Sequence, residues 1–217
     1  MVVAVDIDGT LYDGVEVAPE AIRELQRARD DGHTLVIVTG RRWEELGTVA
    51  PDVVALAERA VCEEGGVMVD IASGGITLLG EAVDQALVEA LQAARVPMLD
   101  VGRVVVGAPT TSLELVSEVR DRVAPSRRIV INKGSVALAP HGCDKGTGLL
   151  AAMADLGLTG RPILAIGDAA NDLPMFAVAT IAVAVANADD VVRASGVTLT
   201  TAAFGAGAAE ALREFLR

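Results

Sequence analysis

The 217-residue sequence has few aromatic residues and few cysteines. Aromatic residues make up 2% of it, so a core built from its 52% hydrophobic residues must consist mainly of Val, Ala, Leu and Ile. That composition suits parallel strands covered by Ala-rich helices. The two cysteines, Cys62 and Cys143, have no C-x-x-C spacing, which argues against a zinc site and favours a reduced cytosolic pair.

Long apolar runs and an excess of positive charge are also absent. No apolar segment approaches ~18 uninterrupted residues, and no basic region precedes an apolar stretch at the N-terminus, so we expect neither a membrane span nor a secretory signal. The formal net charge of −12 argues against nucleic acid or an anionic membrane as a partner and favours a cation as ligand. The sequence therefore predicts a cytoplasmic protein, either a monomer or a homodimer.

Apolar strand-like segments alternate with amphipathic helical segments at both ends of the chain. Strands are predicted at residues 2–5, 35–38, 60–62, 163–166, 181–185 and 197–199. Helices are predicted at residues 18–29 and 206–216. This alternation predicts an α/β fold with a doubly wound, parallel, Rossmann-like sheet.

The middle of the chain has a different pattern. Helical periodicity covers residues 81–94 and 113–123, and a strand is predicted at 104–106. Two further strands, at 128–132 and 136–139, predict a hairpin around Lys133-Gly134-Ser135, which is typical of an antiparallel sheet. We therefore assign residues 1–71 and 141–217 to a core domain and residues 72–140 to an inserted α+β domain.

Polar clusters follow the predicted strands or begin a predicted helix. They are Asp6/Asp8, Thr39-Gly40-Arg41, Lys145-Gly146 and Asp168-Ala169-Ala170-Asn171-Asp172. Because strand C-termini converge on one crevice in a doubly wound sheet, we expect these clusters to be neighbours in space. Crowded carboxylates need a cation, and an all-oxygen site suits Mg²⁺.

The same clusters contain groups that suit a phosphate ester. Lys145 and Thr39 supply the positive charge and the donors that phosphate oxygens require. Lys145 is one of only two lysines, against sixteen arginines. A carboxylate near Mg²⁺ can attack phosphorus, and a second acid two residues away can protonate the leaving group and then activate water. An Asp-x-Asp-Gly stretch alone is more often a simple turn.

Four motifs together resemble those of the haloacid dehalogenase superfamily of phosphohydrolases, and they occur in the family order. They are Asp6-x-Asp8-Gly9-Thr10, Thr39-Gly40-Arg41, Asp144-Lys145-Gly146 and Gly167-Asp168-x-x-Asn171-Asp172. The inserted domain resembles the C2-type cap of that superfamily. This combination is similar to Cof-like sugar phosphatases and archaeal phosphoglycolate phosphatases.

The resemblance implies a role for each motif residue. Asp6 is expected to be the nucleophile and Asp8 the general acid/base. The implied substrate-binding residues are Thr39, Gly40, Lys145 and Asn171. The implied Mg²⁺ site consists of Asp6, the Asp8 carbonyl, Asp168 and Asp172. One departure is Glu63-Glu64-Gly65-Gly66, which stands where many relatives have Glu-Asn-Gly.

These features predict an Mg²⁺-dependent phosphomonoesterase that acts on a small phosphorylated metabolite, with 2-phosphoglycolate as the first choice. Alternatives are a sugar-phosphate phosphatase, a phosphotransferase similar to phosphomannomutases, and a non-enzymatic sensor of a phosphorylated ligand.

Several other polar or aromatic residues have two interpretations from the sequence. Arg41 and Arg42 either guide an anionic substrate or are surface charges, and Trp43 lines either the pocket or the core. His141 is more typical of a turn than of catalysis. Lys133, at the tip of the predicted hairpin, is either a turn charge or, if the cap closes, a contact for a substrate carboxylate.

Overall fold

A computed structural model describes residues 1–216 and contains two β-sheets flanked by helices. The strands are β1 (Val2–Val5), β2 (Thr34–Val38), β3 (Arg59–Cys62), β4 (Val67–Asp70), β5 (Gly75–Leu78), β6 (Asp100–Val101), β7 (Val106–Pro109), β8 (Arg128–Asn132), β9 (Ser135–Ala139), β10 (Ile163–Gly167), β11 (Ile181–Ala184) and β12 (Thr198–Leu199). The helices are α1 (Pro19–Asp30), α2 (Trp43–Val49), α3 (Pro51–Leu56), α4 (Gln85–Ala93), α5 (Leu113–Val123), α6 (Lys145–Asp155), α7 (Leu173–Val178), α8 (Asp190–Ala194) and α9 (Phe204–Phe215). Short 3₁₀ turns cover Glu63–Gly65, Thr110–Ser112 and Ala170–Asp172.

The larger sheet has the strand order β12-β11-β10-β1-β2-β3-β4-β5. All strands from β12 to β3 are parallel, whereas β4 and β5 add an antiparallel edge. The chain moves in one direction across the sheet after β1 and in the other direction after β10, so the switch point lies at the carboxyl end of β1. In this fold class ligands bind at such a point. The predicted α/β fold is confirmed.

Both faces of the larger sheet are covered, which explains why its central strands are apolar throughout. Val3 and Val5 face one buried cluster, and Val2 and Ala4 face the other. The smaller sheet, ordered β6-β7-β9-β8, packs with α4 and α5 around a third cluster that includes Leu87 and Leu138. Among residues 1–216, no helix is both long enough and apolar enough to cross a membrane.

The predicted boundary between residues 71 and 72 is too early for the sheet topology. β5 pairs with β4 in the larger sheet, so residues 75–78 extend the core sheet and do not belong to the second one. β5 is an exposed edge strand, and an edge strand with no buried face lacks the apolar alternation that marks a core strand. The inserted segment with its own sheet therefore begins after β5, and its status as a separate domain stays a prediction.

The strand predicted at residues 104–106 begins instead at Val106 and continues to Pro109. The cause is Glu63, whose carboxylate accepts hydrogen bonds from the backbone N–H groups of Val104 (2.8 Å) and Val105 (3.1 Å). Those two donors are therefore satisfied by a side chain and not by a neighbouring strand. The predicted hairpin is present as β8 and β9, with Lys133 and Gly134 at its turn.

Candidate active site

Asp6 lies directly after β1 at the switch point of the larger sheet and is buried. Its backbone N–H donates to the Ile166 carbonyl (3.0 Å), so the pairing with β10 continues one residue past the strand. The chain then turns through Gly9, whose φ of +83° favours a residue without a Cβ. A Cβ on Gly9 would lie 2.4 Å from both Asp168 Oδ2 and Lys133 Nζ, so this glycine leaves space for two side chains of the site.

Lys145 is the first residue of α6, and its side chain is almost fully buried. The helix start is fixed by Asp144, whose side chain accepts from the Thr147 N–H (2.7 Å). Lys145 Nζ donates to Asp6 Oδ1 (2.8 Å) and to Asp172 Oδ1 (2.7 Å). Burial lowers the pKa of Lys145, but the charges of Asp172, Asp6 and Glu64 outweigh it and raise the pKa above the usual range. Lys145 is therefore a cation at physiological pH.

Asp6, Asp168 and Asp172 form a buried carboxylate cluster in which one oxygen of each lies within 4.8 Å of the others. Burial raises the pKa of Asp6 well above its usual value; Lys145 opposes this effect, and Asp172 and Asp168 add to it. Burial likewise raises the pKa of Asp168, although its hydrogen bond from Lys133 acts in the opposite direction. Crowded anionic oxygens of this kind match the oxygen ligands that Mg²⁺ prefers.

The oxygens of Asp168 and Asp172 differ in their existing partners. Asp168 accepts from the Thr10 hydroxyl (2.9 Å) and from Lys133. Asp172 Oδ2 accepts from the backbone N–H groups of Asp168 (2.9 Å) and Ala169 (3.0 Å), while its Oδ1 accepts from Lys145. Both oxygens of Asp172 therefore fix the position of neighbouring groups.

Asp8 is not part of the buried cluster. Its two carboxylate oxygens accept from Arg41 Nε and Nη2, each at 2.6 Å, in a bidentate pair that is partly exposed. The hydrogen bonds to Asp8 raise the pKa of Arg41, and the guanidinium lies 5.8 Å from the Tyr12 ring centre. Arg41, which the sequence left between two interpretations, is thus the direct partner of the predicted general acid/base.

Thr39 and Gly40 follow β2 at the same edge of the sheet. Thr39 is fully buried; its N–H donates to the Val61 carbonyl (2.8 Å), and its hydroxyl oxygen accepts from the Arg41 N–H (3.2 Å). A Cβ on Gly40 would lie 2.4 Å from Glu64 Oε1, so a larger residue does not fit there without movement. Of the predicted substrate-binding residues, only Gly40 lines the cavity described below.

Asn171 donates from Nδ2 to both carboxylate oxygens of Glu64, at 3.1 and 3.3 Å. Its amide N–H groups therefore face Glu64, while Asn171 Oδ1 is buried with no hydrogen-bond partner. Burial raises the pKa of Glu64 above its usual range. The predicted contact between Asn171 and substrate would need these groups to rearrange, because a phosphate oxygen requires a donor and not the carbonyl oxygen.

Glu63 is a residue that the sequence analysis did not single out as functional. It is buried after β3, with its carboxylate bonded to the backbone N–H groups of Val104, Val105 and Arg103, the last at 3.0 Å. Glu63 thereby joins the larger sheet to the segment that enters β7. The sequence feature that could have pointed to this role of Glu63 is the pair of glutamates before two glycines at the end of a predicted strand.

An open cavity of about 720 Å³ lies between the carboxyl edge of the larger sheet and the smaller sheet. Asp6, Asp8 and Gly40 line it from the core side, and Lys133 and Asn132 line it from the β8–β9 hairpin. Lys133 extends from the hairpin turn to donate to Asp168. From the sequence, Lys133 is either a turn charge or a cap contact; the structure places it at the carboxylate cluster.

Two other residues lie away from this cavity. Trp43, the first residue of α2, packs against the core cluster that contains Val3 and Val5. His141 is exposed and follows β9. The structure favours the core interpretation of Trp43 and the turn interpretation of His141.

Comparisons with known proteins agree with this architecture. A family model of haloacid dehalogenase-like hydrolases matches residues 3–94 and 89–212. A phosphoglycolate phosphatase of Methanothermobacter thermautotrophicus is 30% identical over 220 residues, covering 99% of this chain and 98% of that protein. A phosphoglycolate phosphatase of Haloarcula marismortui is 32% identical over 220 residues, covering 97% of this chain and 95% of that protein. The crystal structure of a haloacid dehalogenase-like hydrolase from Bacteroides thetaiotaomicron superposes with a TM-score of 0.83 at 20% identity and covers 98% of both chains.

Proposed function

Because the chain belongs to the haloacid dehalogenase-like hydrolase family and is a phosphatase, we propose that it hydrolyses 2-phosphoglycolate with Mg²⁺ through a phosphorylated Asp6. The observation that supports this most is the contact between Asp6 and the buried Lys145 at the switch point of the sheet. A carboxylate attacks phosphorus only as an anion, and a lysine ammonium at 2.8 Å stabilises that anion where burial alone would neutralise it.

The residues around Asp6 divide the remaining tasks. Lys145 donates two of its three N–H groups to Asp6 and Asp172, which leaves one for a phosphoryl oxygen. Thr39 and Gly40, which follow β2 at the same edge of the sheet, are proposed to supply further donors. In this proposal they reduce the repulsion between the Asp6 carboxylate and the dianionic ester.

Asp6, the Asp8 carbonyl and Asp168 would hold Mg²⁺, with Asp172 fixing the backbone of Asp168. Bound there, the ion supplies positive charge to the nucleophile and to the phosphoryl oxygens. The residues fit such an ion because they offer anionic oxygens in one buried cluster whose charge the nearby lysines do not fully balance.

Asp8 is proposed to protonate the leaving oxygen and later to deprotonate the attacking water. It is suited to proton transfer because its carboxylate lies at the cavity, outside the buried cluster. Arg41 donates to both Asp8 oxygens and so fixes the orientation of the carboxylate, while each oxygen keeps a second lone pair that can take a proton.

The choice of 2-phosphoglycolate rests on the full-length relatives with that activity. A cavity of about 720 Å³ is larger than this substrate, so volume alone does not distinguish it from a sugar phosphate. The test is release of inorganic phosphate from 2-phosphoglycolate and from a set of sugar phosphates, with Mg²⁺ and with EDTA.

The wild type should release phosphate with Mg²⁺ only and should favour 2-phosphoglycolate, while Asp6→Asn should lose at least ~10³-fold in kcat. Asp30→Asn, at an exposed position on α1, is the matched control and should retain activity. Turnover retained in Asp6→Asn would exclude the nucleophile assignment. A preference for a sugar phosphate would replace 2-phosphoglycolate as the proposed substrate. Isomerisation of a sugar phosphate without release of phosphate would favour a phosphotransferase. Binding of a phosphorylated ligand without turnover would favour a sensor.

A further inference from the structure

Lys133 is the cation that the smaller sheet contributes to the carboxylate cluster. It lies at the turn between β8 and β9, and its Nζ donates to Asp168 Oδ2. Its side chain is 44% exposed, whereas that of Asp168 is fully buried. The core contributes Lys145 to this cluster, so the carboxylates are approached by one lysine from the core and one from the cavity side.

The backbone at Lys133 is unusual for a residue with a side chain. Its φ of +47° lies in the left-handed region, which Gly and Asn adopt more readily. The adjacent Gly134 has no positive φ and open space around its missing Cβ. The turn thus has a lysine at a position that Gly or Asn would adopt with less strain.

The direction of Lys133 indicates which part of a substrate it would meet. In phosphoryl transfer the attacking and leaving oxygens are roughly in line, so the leaving group points away from Asp6. Away from Asp6 the cavity is lined by the hairpin, including Asn132, Lys133 and Ser135. The other two cations that line the cavity already have carboxylate partners. Arg41 binds Asp8, and Arg42 Nε lies 2.9 Å from Asp100 Oδ1.

The present partner of Lys133 is also the one that a metal ion would take. Asp168 belongs to the cluster that suits Mg²⁺, and an ion bound there would compete with Lys133 for the Asp168 carboxylate. Once Asp168 binds the ion, Lys133 loses its hydrogen-bonded carboxylate, and only the more distant charges of Asp189 and Asp6 still act on it. A substrate with a second anionic group replaces that partner.

Building on the proposed function, we propose that Lys133 is a specificity-determining residue that binds the substrate carboxylate, and that Asp168 occupies it until metal and substrate bind. The substrate class is then a phosphate monoester whose leaving group carries a carboxylate close to the ester oxygen. The competing roles for this contact are to hold the hairpin against the core and to bind the phosphoryl group itself.

A matched pair of substrates separates these roles: 2-phosphoglycolate, and 2-hydroxyethyl phosphate, in which an uncharged hydroxymethyl group replaces the carboxylate. In Lys133→Met the ratio of kcat/KM for the first over the second should fall by about tenfold to a hundredfold, the usual effect of losing a hydrogen bond to a charged group. Lys133→Arg should retain most of the ratio. Arg122→Met, which removes an exposed cation of α5, should leave the ratio unchanged.

An equal loss of kcat/KM for both substrates would overturn the proposal, and would mean that Lys133 holds the hairpin against the core or binds the phosphoryl group. Failure of the wild type to hydrolyse either compound would contradict the proposed function and not only the role of Lys133. Hydrolysis of both with an unaltered ratio in Lys133→Met would leave the function standing and exclude the carboxylate contact.

A second measurement does not depend on turnover. Calorimetric titration with Mg²⁺ alone should give a dissociation constant at least ~3-fold lower for Lys133→Met than for the wild type, because a competing cation has been removed from Asp168. Lys133→Arg and Arg122→Met should match the wild type. Unchanged or weaker Mg²⁺ binding in Lys133→Met would show that the ion does not displace Lys133.

Discussion

Lys145 is a buried cation whose two partners, Asp6 and Asp172, are buried anions. A buried ion pair adds little net stability compared with apolar residues, but removing one partner leaves an unbalanced charge in the interior. Lys145 is therefore expected to matter for the folded state as well as for the reaction.

Lys145→Met should lower the free energy of unfolding by about 3–5 kcal/mol in EDTA, because Asp6 and Asp172 lose their shared counter-ion. Urea unfolding followed by circular dichroism measures this. Saturating Mg²⁺ should restore part of the loss, since the ion binds the folded state and neutralises the same carboxylates. An unfolding midpoint equal to that of the wild type in EDTA would contradict this account of Lys145.

Cys62 provides a test of burial that is independent of catalysis. It lies at the end of β3 with no exposed surface, and burial raises the pKa of its thiol, with Glu63 and Glu44 adding to the effect. Thiolate is the reactive form, and a raised pKa leaves the thiol neutral at pH 8. In a Cys143→Ser background, a disulfide reagent should label no thiol in the native protein at pH 8 and one thiol in urea. Rapid labelling of the native protein would show that β3 opens readily.

At the scale of elements, the 3₁₀ turn between β3 and β4 links the larger sheet to the smaller one, because the Glu63 side chain of this turn binds the segment before β7. Glu63, Glu64 and Gly65 have consecutive positive φ values of 51°, 56° and 91°. This backbone directs Glu63 to the segment before β7 and Glu64 to Asn171, while Gly65 contacts the start of α6. A Cβ on Gly65 would lie 1.9 Å from the Asp144 carbonyl oxygen.

Gly65→Ala should therefore destabilise the protein by about 3 kcal/mol or more, through left-handed strain combined with a clash against backbone. Gly74→Ala is the matched control, because Gly74 has φ +71° but open space around its Cβ position. The control should cost only ~1–2 kcal/mol. Similar unfolding free energies for the two variants would mean that the turn moves away from α6 without penalty.

The same elements illustrate what sequence alone could predict. The strands with two covered faces, such as β1 and β10, are apolar throughout, so their positions and the convergence of Asp6 with Asp168 followed from the sequence. β5 has no buried face and gave no such signal. The start of β7 depended on Glu63, a side chain distant in sequence, which no local pattern contains.

Side-chain pairings within the site were equally beyond prediction. Asp8–Arg41, Glu64–Asn171 and Lys133–Asp168 each join segments that are 33 to 107 residues apart. Strand ends determine which residues are neighbours, but the choice of partner depends on side-chain length and rotamer. Lys133 was visible as a hairpin charge, yet its distance to Asp168 depends on how the smaller sheet lies over the larger one.

At the scale of the whole molecule, the dominant electrostatic feature is the net charge of −12. Like charges across the surface repel more strongly in the compact state, and salt screens that repulsion. Raising KCl from low to moderate concentration should increase the free energy of unfolding by on the order of 1 kcal/mol.

The measurement is the urea midpoint against KCl concentration. A variant with Glu114→Gln and Glu118→Gln, which removes two exposed charges from α5, should show a smaller dependence on salt. A midpoint that falls with KCl would mean instead that attractive pairs outweigh the general repulsion.

The central position of β1 has a consequence for protein synthesis. Asp6 is made before its partner Lys145, which lies 139 residues later in the chain. At ~5–20 residues per second, a ribosome needs roughly 7–28 s to add that stretch. Throughout that interval the nascent chain contains the proposed nucleophile without its counter-ion, and β1 lacks β10 as its neighbour. Fragments released by premature termination before residue 145 are therefore expected to contain Asp6 but to be inactive, because Lys145, Asp168 and Asp172 are missing from them.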